Sequence, residues 1–246
     1  MRLEPIFAGL LLLSFTAIAP ALAQPADRDK TVVAEPDRSA ADKANDERRK
    51  AVKILEFTGA RPGVHVLDMG AGAGYSSELM ARAVAPGGTV YAQNGPQVYP
   101  RVKEKLEARL ATPAAKNIVN DIRPYDDPLP AGTAPLDLIT FFYFYHDTTY
   151  LTVDRAKMDQ ALYAALKPGA YLVVADYAAN KGMGTSQGKT LHRIEEATLK
   201  QEIEAAGFKL VDEGKFLRNP NDPRSEPIFH PKQPVDIFVL KFQKPR

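Results

Sequence analysis

The segment VLDMGAGAGYSS, residues 66–77, limits the possible fold more than any other part of the chain. A short apolar strand runs into three glycines, Gly70, Gly72 and Gly74, and then into SSELMARAV, which reads as a helix capped by Ser76 or Ser77. Glycine lets a ligand approach the main chain closely, and a helix N-terminus behind such a turn offers it N–H groups. Strand, glycine turn and helix in that order open a βαβ unit, and the generic ligand of such a turn is a nucleotide-like cofactor. The dinucleotide fingerprint G-x-G-x-x-G needs a glycine where this chain has Tyr75, so the spacing here is G-x-G-x-G.

The same alternation continues downstream. TVYAQ, NIVND, LDLITFFYF and AYLVVADY read as strands, separated by helical stretches such as RVKEKLEARLA and DRAKMDQALYAAL. LDLITFFYF is apolar throughout, as a strand covered on both faces should be. IEEATLKQEIEAAG is a further helix, and FKLVDEGKFL and VDIFVLKFQ are the last two strands. The irregular stretch RNPNDPRSEPIFHPKQP joins those two with no crossover helix, so the seventh strand is expected to run antiparallel. The expected fold is therefore α/β: a seven-stranded, mostly parallel sheet, its last strand antiparallel, in a three-layer Rossmann-like sandwich.

The N-terminus raises a separate issue. Arg2, an apolar run from Ile6 to Ala19, Pro20 and then ALA before Gln24 read as a signal peptide over residues 1–23, with cleavage after Ala23. An uncleaved membrane anchor and a buried N-terminal helix are the alternatives, and the run is shorter than the roughly 20 residues a span needs. Residues 24–43 are polar and charged and read as a linker, leaving residues 44–246 as the domain. Export to the periplasm, with no stable membrane span after cleavage, is the expectation. The 32 basic and 30 acidic residues are interspersed, which argues against nucleic acid as a partner. With no cysteine in the chain, disulfides, thiolate nucleophiles and cysteine-held metals are excluded.

With Asp68 two residues ahead of the first glycine, VLDMGAGAG resembles motif I of the class I S-adenosylmethionine-dependent methyltransferases. The resemblance extends over roughly Arg48 to Lys244, through LDLI and ALKPGAYLVVAD. GAGAGY, YHD, LHRIEEA, AAGF, LRNPND and FVLKF look similar to a group of predicted bacterial methyltransferases of that class. The resemblance implies S-adenosylmethionine as cofactor and a small-molecule methyl acceptor. It also implies a cofactor site made of Asp68, Gly70, Gly72, Gly74 and Tyr75, with Asn94 where the family usually has an acidic residue on the ribose. Asp126 is the expected adenine contact, with Asp121 and Asp127 as alternatives.

A methyl acceptor should sit past the strand ends, where FFYFYHD places Tyr143, Tyr145, His146 and Asp147. His146 beside Asp147 is the candidate general base. His192 and Arg193, after the glycine-rich stretch NKGMGTSQGKT, form a second candidate, and that stretch reads equally as a lid or a connection. His65 and His230 are given no role. Asp147, Asp176 and His146 could in principle gather round a metal, but no spacing is diagnostic and no metal is expected. Two other readings are carried: a non-catalytic binding module of the same fold, and an NAD-dependent oxidoreductase, which Tyr75 at the last glycine position argues against.

Overall fold

The computed structural model describes residues 25–246 other than 230, so the expected signal peptide and His230 lie outside the described residues. Strands β1 (Val66–Met69), β2 (Val90–Asn94), β3 (Ile118–Ile122), β4 (Leu136–Phe142), β5 (Leu166–Tyr177), β6 (Lys209–Gly214) and β7 (Ile237–Gln243) form one sheet. Their order is β3-β2-β1-β4-β5-β7-β6. The first five are parallel, and β7 is antiparallel to both β5 and β6. The fold is the expected α/β sandwich, with the antiparallel β7 inserted between β5 and β6.

The inner strands alternate between two cores. On β4, Leu138 and Phe142 face one layer while Ile139 and Phe141 face the other. The first layer holds helices α1 (Pro25–Ala34), α3 (Ala51–Thr58) and α4 (Tyr75–Val84). The second holds α6 (Arg155–Ala165) and α8 (Glu196–Ala205). Each fully buried aliphatic side chain here contributes about 1.5–3 kcal/mol. Helices α2 (Ala40–Arg49), α5 (Tyr99–Leu110) and the short α7 (Gly188–Leu191) complete the chain. Among the described residues no helix is long and apolar enough to cross a membrane.

The expected linker over residues 24–43 is instead mostly helical, carrying α1 and the start of α2. Its charges suggested a solvated segment, yet Asp29, Arg38 and Asp42 are buried and paired. Arg38 grips Asp46 at 2.5 and 2.8 Å, and Arg109 of α5 grips Asp42 at 2.8 and 3.0 Å. Ser39 caps α2 by accepting the Asp42 N–H at 3.0 Å, and Val32 of α1 joins the same core as Leu55 and Val84. Lys50, with φ of 50°, separates α2 from α3.

Candidate functional site

The three glycines serve different ends. A Cβ on Gly70 would sit 2.6 Å from the Phe144 ring, and one on Gly74 would sit 2.9 Å from Leu106, so both positions are closed by packing. Gly72, with φ of 57°, would meet nothing within 4 Å, so its Cα faces open space and only its backbone conformation demands glycine. Asp68 is wholly buried beneath this turn. It accepts hydroxyl hydrogen bonds from Ser76 (2.7 Å), Ser77 (2.6 Å) and Thr140 (2.8 Å), tying β1, β4 and the start of α4 together. Burial raises its pKa, opposed by those three hydroxyls. Asp68 therefore braces the turn and does not reach outward as a ligand contact.

Asn94 and Tyr75 are likewise turned to structure. Asn94 Oδ1 accepts the Gly72 N–H at 2.9 Å, and its Nδ2 donates to the Gly72 carbonyl at 3.2 Å. Its neighbour Gln93, missed in the sequence, accepts the Gly70 N–H at 3.2 Å and donates to the Arg123 carbonyl at 2.7 Å. Tyr75 donates to Asp46 at 2.8 Å with the Arg49 guanidinium 4.8 Å above its ring. Asp126 pairs with Lys157 at 3.2 Å, and Asp127 pairs with Arg123, so neither carboxylate waits for a ligand. Asp121 is the buried one: its Oδ2 has no partner, and burial pushes its pKa up to about 6. Tyr125, whose ring closes on Gly95, also has a buried hydroxyl without a partner.

On the N-terminal side of the turn, beyond the ends of β4 and β5, lies a cavity of about 270 Å³. Arg48, Arg49, Tyr143, Tyr177 and Ile228 are among the residues that line it. Tyr143 takes a left-handed φ of 61°, a strained conformation for an aromatic residue, and its ring packs 5.4 Å from Tyr177. Arg49 lies 4.7 Å above the Tyr143 ring and also borders a small pocket with Tyr75 and Ser76, beside the glycine turn. Arg49 Nε and Tyr143 Oη are both buried without hydrogen-bond partners. Nothing in the run ERRKAVK singled out Arg49; the break at Lys50 is what sets it at the end of α2.

His146 and Asp147 follow β4 in a 3-10 turn and do not line this cavity. Asp176, at the end of β5, accepts the His146 N–H at 2.8 Å and lies 2.7 Å from its Nδ1. His146 Nε2 faces Asp147 Oδ1 at 3.2 Å and His192 Nδ1 at 3.3 Å. Burial alone would lower the His146 pKa, but Asp176 and Asp147 together push it up to about 10. Both ring nitrogens are thus engaged, Nδ1 by Asp176 and Nε2 by Asp147 and His192. Asp147, despite burial, is held below the usual carboxylate range by His146, Tyr150 and His192.

The second candidate pair divides. His192 joins His146, whereas Arg193 is buried and grips Asp222 at 2.8 Å and the Ala178 carbonyl at 3.0 Å. The glycine-rich stretch before them is tied down: Glu195 accepts the N–H groups of Gly182 (3.0 Å) and Gly184 (2.8 Å). Tyr145 is a core residue bonded to Asp159 and Glu202. His65 marks the entry to β1, its N–H bonded to Asp137 at 3.0 Å.

No family model matches the chain. The protein-L-isoaspartate O-methyltransferase of Aeropyrum pernix is 45% identical to it over 56 residues, a match covering 22% of this chain and 22% of that protein's length. A SAM-dependent methyltransferase from Aquifex aeolicus superposes with a TM-score of 0.58 at 19% identity, covering 91% of this chain and 100% of the other. Fibrillarin of Aeropyrum pernix, solved with natively bound S-adenosyl-L-methionine, superposes with a TM-score of 0.52 at 16% identity, covering 78% of this chain and 74% of the other. The chain has the fold of the SAM-dependent methyltransferases.

Proposed function

We propose that this chain is an S-adenosylmethionine-dependent methyltransferase acting on a small acceptor that carries an anionic group. One observation carries the reading: a cavity at the carboxyl ends of the parallel strands, where such sheets bind ligands, shares Arg49 and Tyr143, each with an unpartnered polar atom, with a small pocket that reaches Tyr75 and Ser76 just behind the glycine turn. The residues present fit the cofactor. The open face at Gly72 gives a main-chain approach, and Arg49, whose buried Nε has no hydrogen-bond partner, offers its guanidinium to a carboxylate. When bound, the cofactor supplies an electrophilic methyl group on a sulfonium.

The chain's own contribution is positioning. Arg48 and Arg49 make the cavity attractive to an anion, while Tyr143, Tyr177 and Ile228 give it apolar walls. Tyr143 lines the cavity, its Oη is buried without a partner, and burial raises its pKa, so the hydroxyl stays neutral. The antiparallel β7 between β5 and β6, together with Tyr75 at the last glycine position, favours this reading over a dinucleotide oxidoreductase, whose sheet order is 3-2-1-4-5-6. No observation favours a non-catalytic module.

Calorimetric titration with S-adenosylmethionine, S-adenosylhomocysteine and NAD tests the cofactor. Micromolar binding of the first two, weakened at least about tenfold by Arg49→Met, is expected. Binding of NAD alone, or of none, would overturn the reading. The leader-like N-terminus supports a further part of it, that the enzyme is exported. Sequencing the N-terminus of the protein from cell fractions should find Gln24 first, outside the cytoplasm, and an intact cytoplasmic chain would refute export.

A further inference from the structure

We infer that His146, Asp147 and His192 form a binding site for a first-row divalent transition-metal ion, with Asp176 as the positioning residue behind His146. His146 Nε2, Asp147 Oδ1 and His192 Nδ1 lie 3.2, 3.2 and 3.3 Å from one another. Three donors each about 2.0–2.2 Å from one ion, at angles between octahedral and tetrahedral, are separated by about 2.8–3.6 Å. The triangle already has the size of a coordination face.

The hydrogen bonds around it point the same way. Asp176 Oδ1 accepts the Tyr177 N–H and its Oδ2 the His146 N–H, each at 2.8 Å, so this carboxylate acts as an acceptor and takes the proton of His146 Nδ1 at 2.7 Å. Displacement of the Nε2 proton by an arriving cation frees a lone pair aimed at a carboxylate oxygen and at a second imidazole nitrogen. Three lone pairs converging on one point repel unless a cation or a proton sits among them. A carboxylate bonded to the far nitrogen of a ligating histidine is the arrangement that fixes ring and tautomer in metal sites. Two imidazoles and one carboxylate match zinc, iron(II) and their neighbours, whereas magnesium and calcium prefer all-oxygen sets. Three protein ligands also leave coordination positions open, and the side chains of Asp147 and His192 are 16% and 23% exposed against 2% for His146.

The fold holds His192 in place deliberately. Its φ is 54°, a left-handed conformation that costs about 1–2 kcal/mol in a non-glycine residue, so the surroundings enforce it. Gly188 lets α7 lie against Thr149 and the His146 carbonyl, where any Cβ would collide. The separation of 46 positions between the two histidines explains why spacing in the sequence gave no sign of the site.

The test needs no methyl transfer and so stands apart from the proposed activity. The full chain, stripped with EDTA, is titrated with Zn²⁺ by calorimetry and with Co²⁺ by visible absorption, with Mg²⁺ as the control. One equivalent of Zn²⁺ should bind, Co²⁺ should develop ligand-field bands, and Mg²⁺ should give neither signal. His192→Asn, which tolerates the left-handed backbone, should weaken Zn²⁺ at least about a hundredfold, and Asp176→Asn about 10–100-fold. The Co²⁺ spectrum of the unmodified chain decides the matter even where a variant fails to fold. Absence of saturable Zn²⁺ or Co²⁺ binding, or equal affinity in a folded His192→Asn variant, would mean that only a proton bridges the three groups.

Discussion

Asn94 is joined to Gly72 through both ends of its amide, Oδ1 to the Gly72 N–H at 2.9 Å and Nδ2 to the Gly72 carbonyl at 3.2 Å. The end of β2 is thereby fastened to the turn after β1, and the shape of the glycine turn depends on an amide being there. Asn94→Asp keeps the acceptor, loses the donor and sets a buried carboxylate against a carbonyl. It should destabilise the fold by about 1–3 kcal/mol and weaken S-adenosylmethionine binding, measured by thermal unfolding and calorimetry. Tighter binding would mean that residue 94 faces the ligand.

The glycines of the turn should differ in their response to alanine. Gly72→Ala meets no atom and suffers only the left-handed backbone, about 1–2 kcal/mol. Gly70→Ala suffers the same at φ of 62° and also drives into the Phe144 ring, so it should cost more. Adding Phe144→Ala should recover part of the loss at position 70 and none at position 72, a non-additivity readable in a double-mutant cycle of unfolding energies.

Tyr145 carries one hydroxyl proton yet lies 2.8 Å from Asp159 and 2.9 Å from Glu202. Glu202 is ion-paired with Arg155 at 2.7 Å, so the second proton belongs to Asp159, whose burial pushes its pKa up to about 7. The folded state keeps this proton up to about pH 7, whereas an unfolded chain releases it near 3.8. This group's contribution to stability is therefore full below pH 3.8, falls as pH rises towards 7 and stays low above it. Asp159→Asn should flatten that fall and stabilise the protein above pH 7, measured by urea unfolding across the range.

Arg193 and Asp222 form a buried pair that holds the long connection between β6 and β7 against the end of β5. Asp222→Ala leaves the guanidinium uncompensated and should cost about 3–5 kcal/mol. Replacing both partners should cost less than the sum of the single changes, and an additive result in denaturant unfolding would show that the pair is not coupled.

The periodicity of the sequence was enough to place β1 through β5, the helices between them and the antiparallel seventh strand, because strand and helix periods and glycine turns are local properties of a chain. The G-x-G-x-G spacing also located the turn itself. Which way its neighbours point was decided only by folding. Asp68, Tyr75 and Asn94 stand where ligand contacts were expected, yet each spends its polar atoms on Ser76, Asp46 or Gly72, partners set by packing. Residues 24–43 looked solvated because composition cannot distinguish an exposed charge from one buried against Arg109 or Asp46. His146 and His192, 46 residues apart, became neighbours through the docking of α7 on the turn after β4, a contact between distant segments that no local pattern encodes.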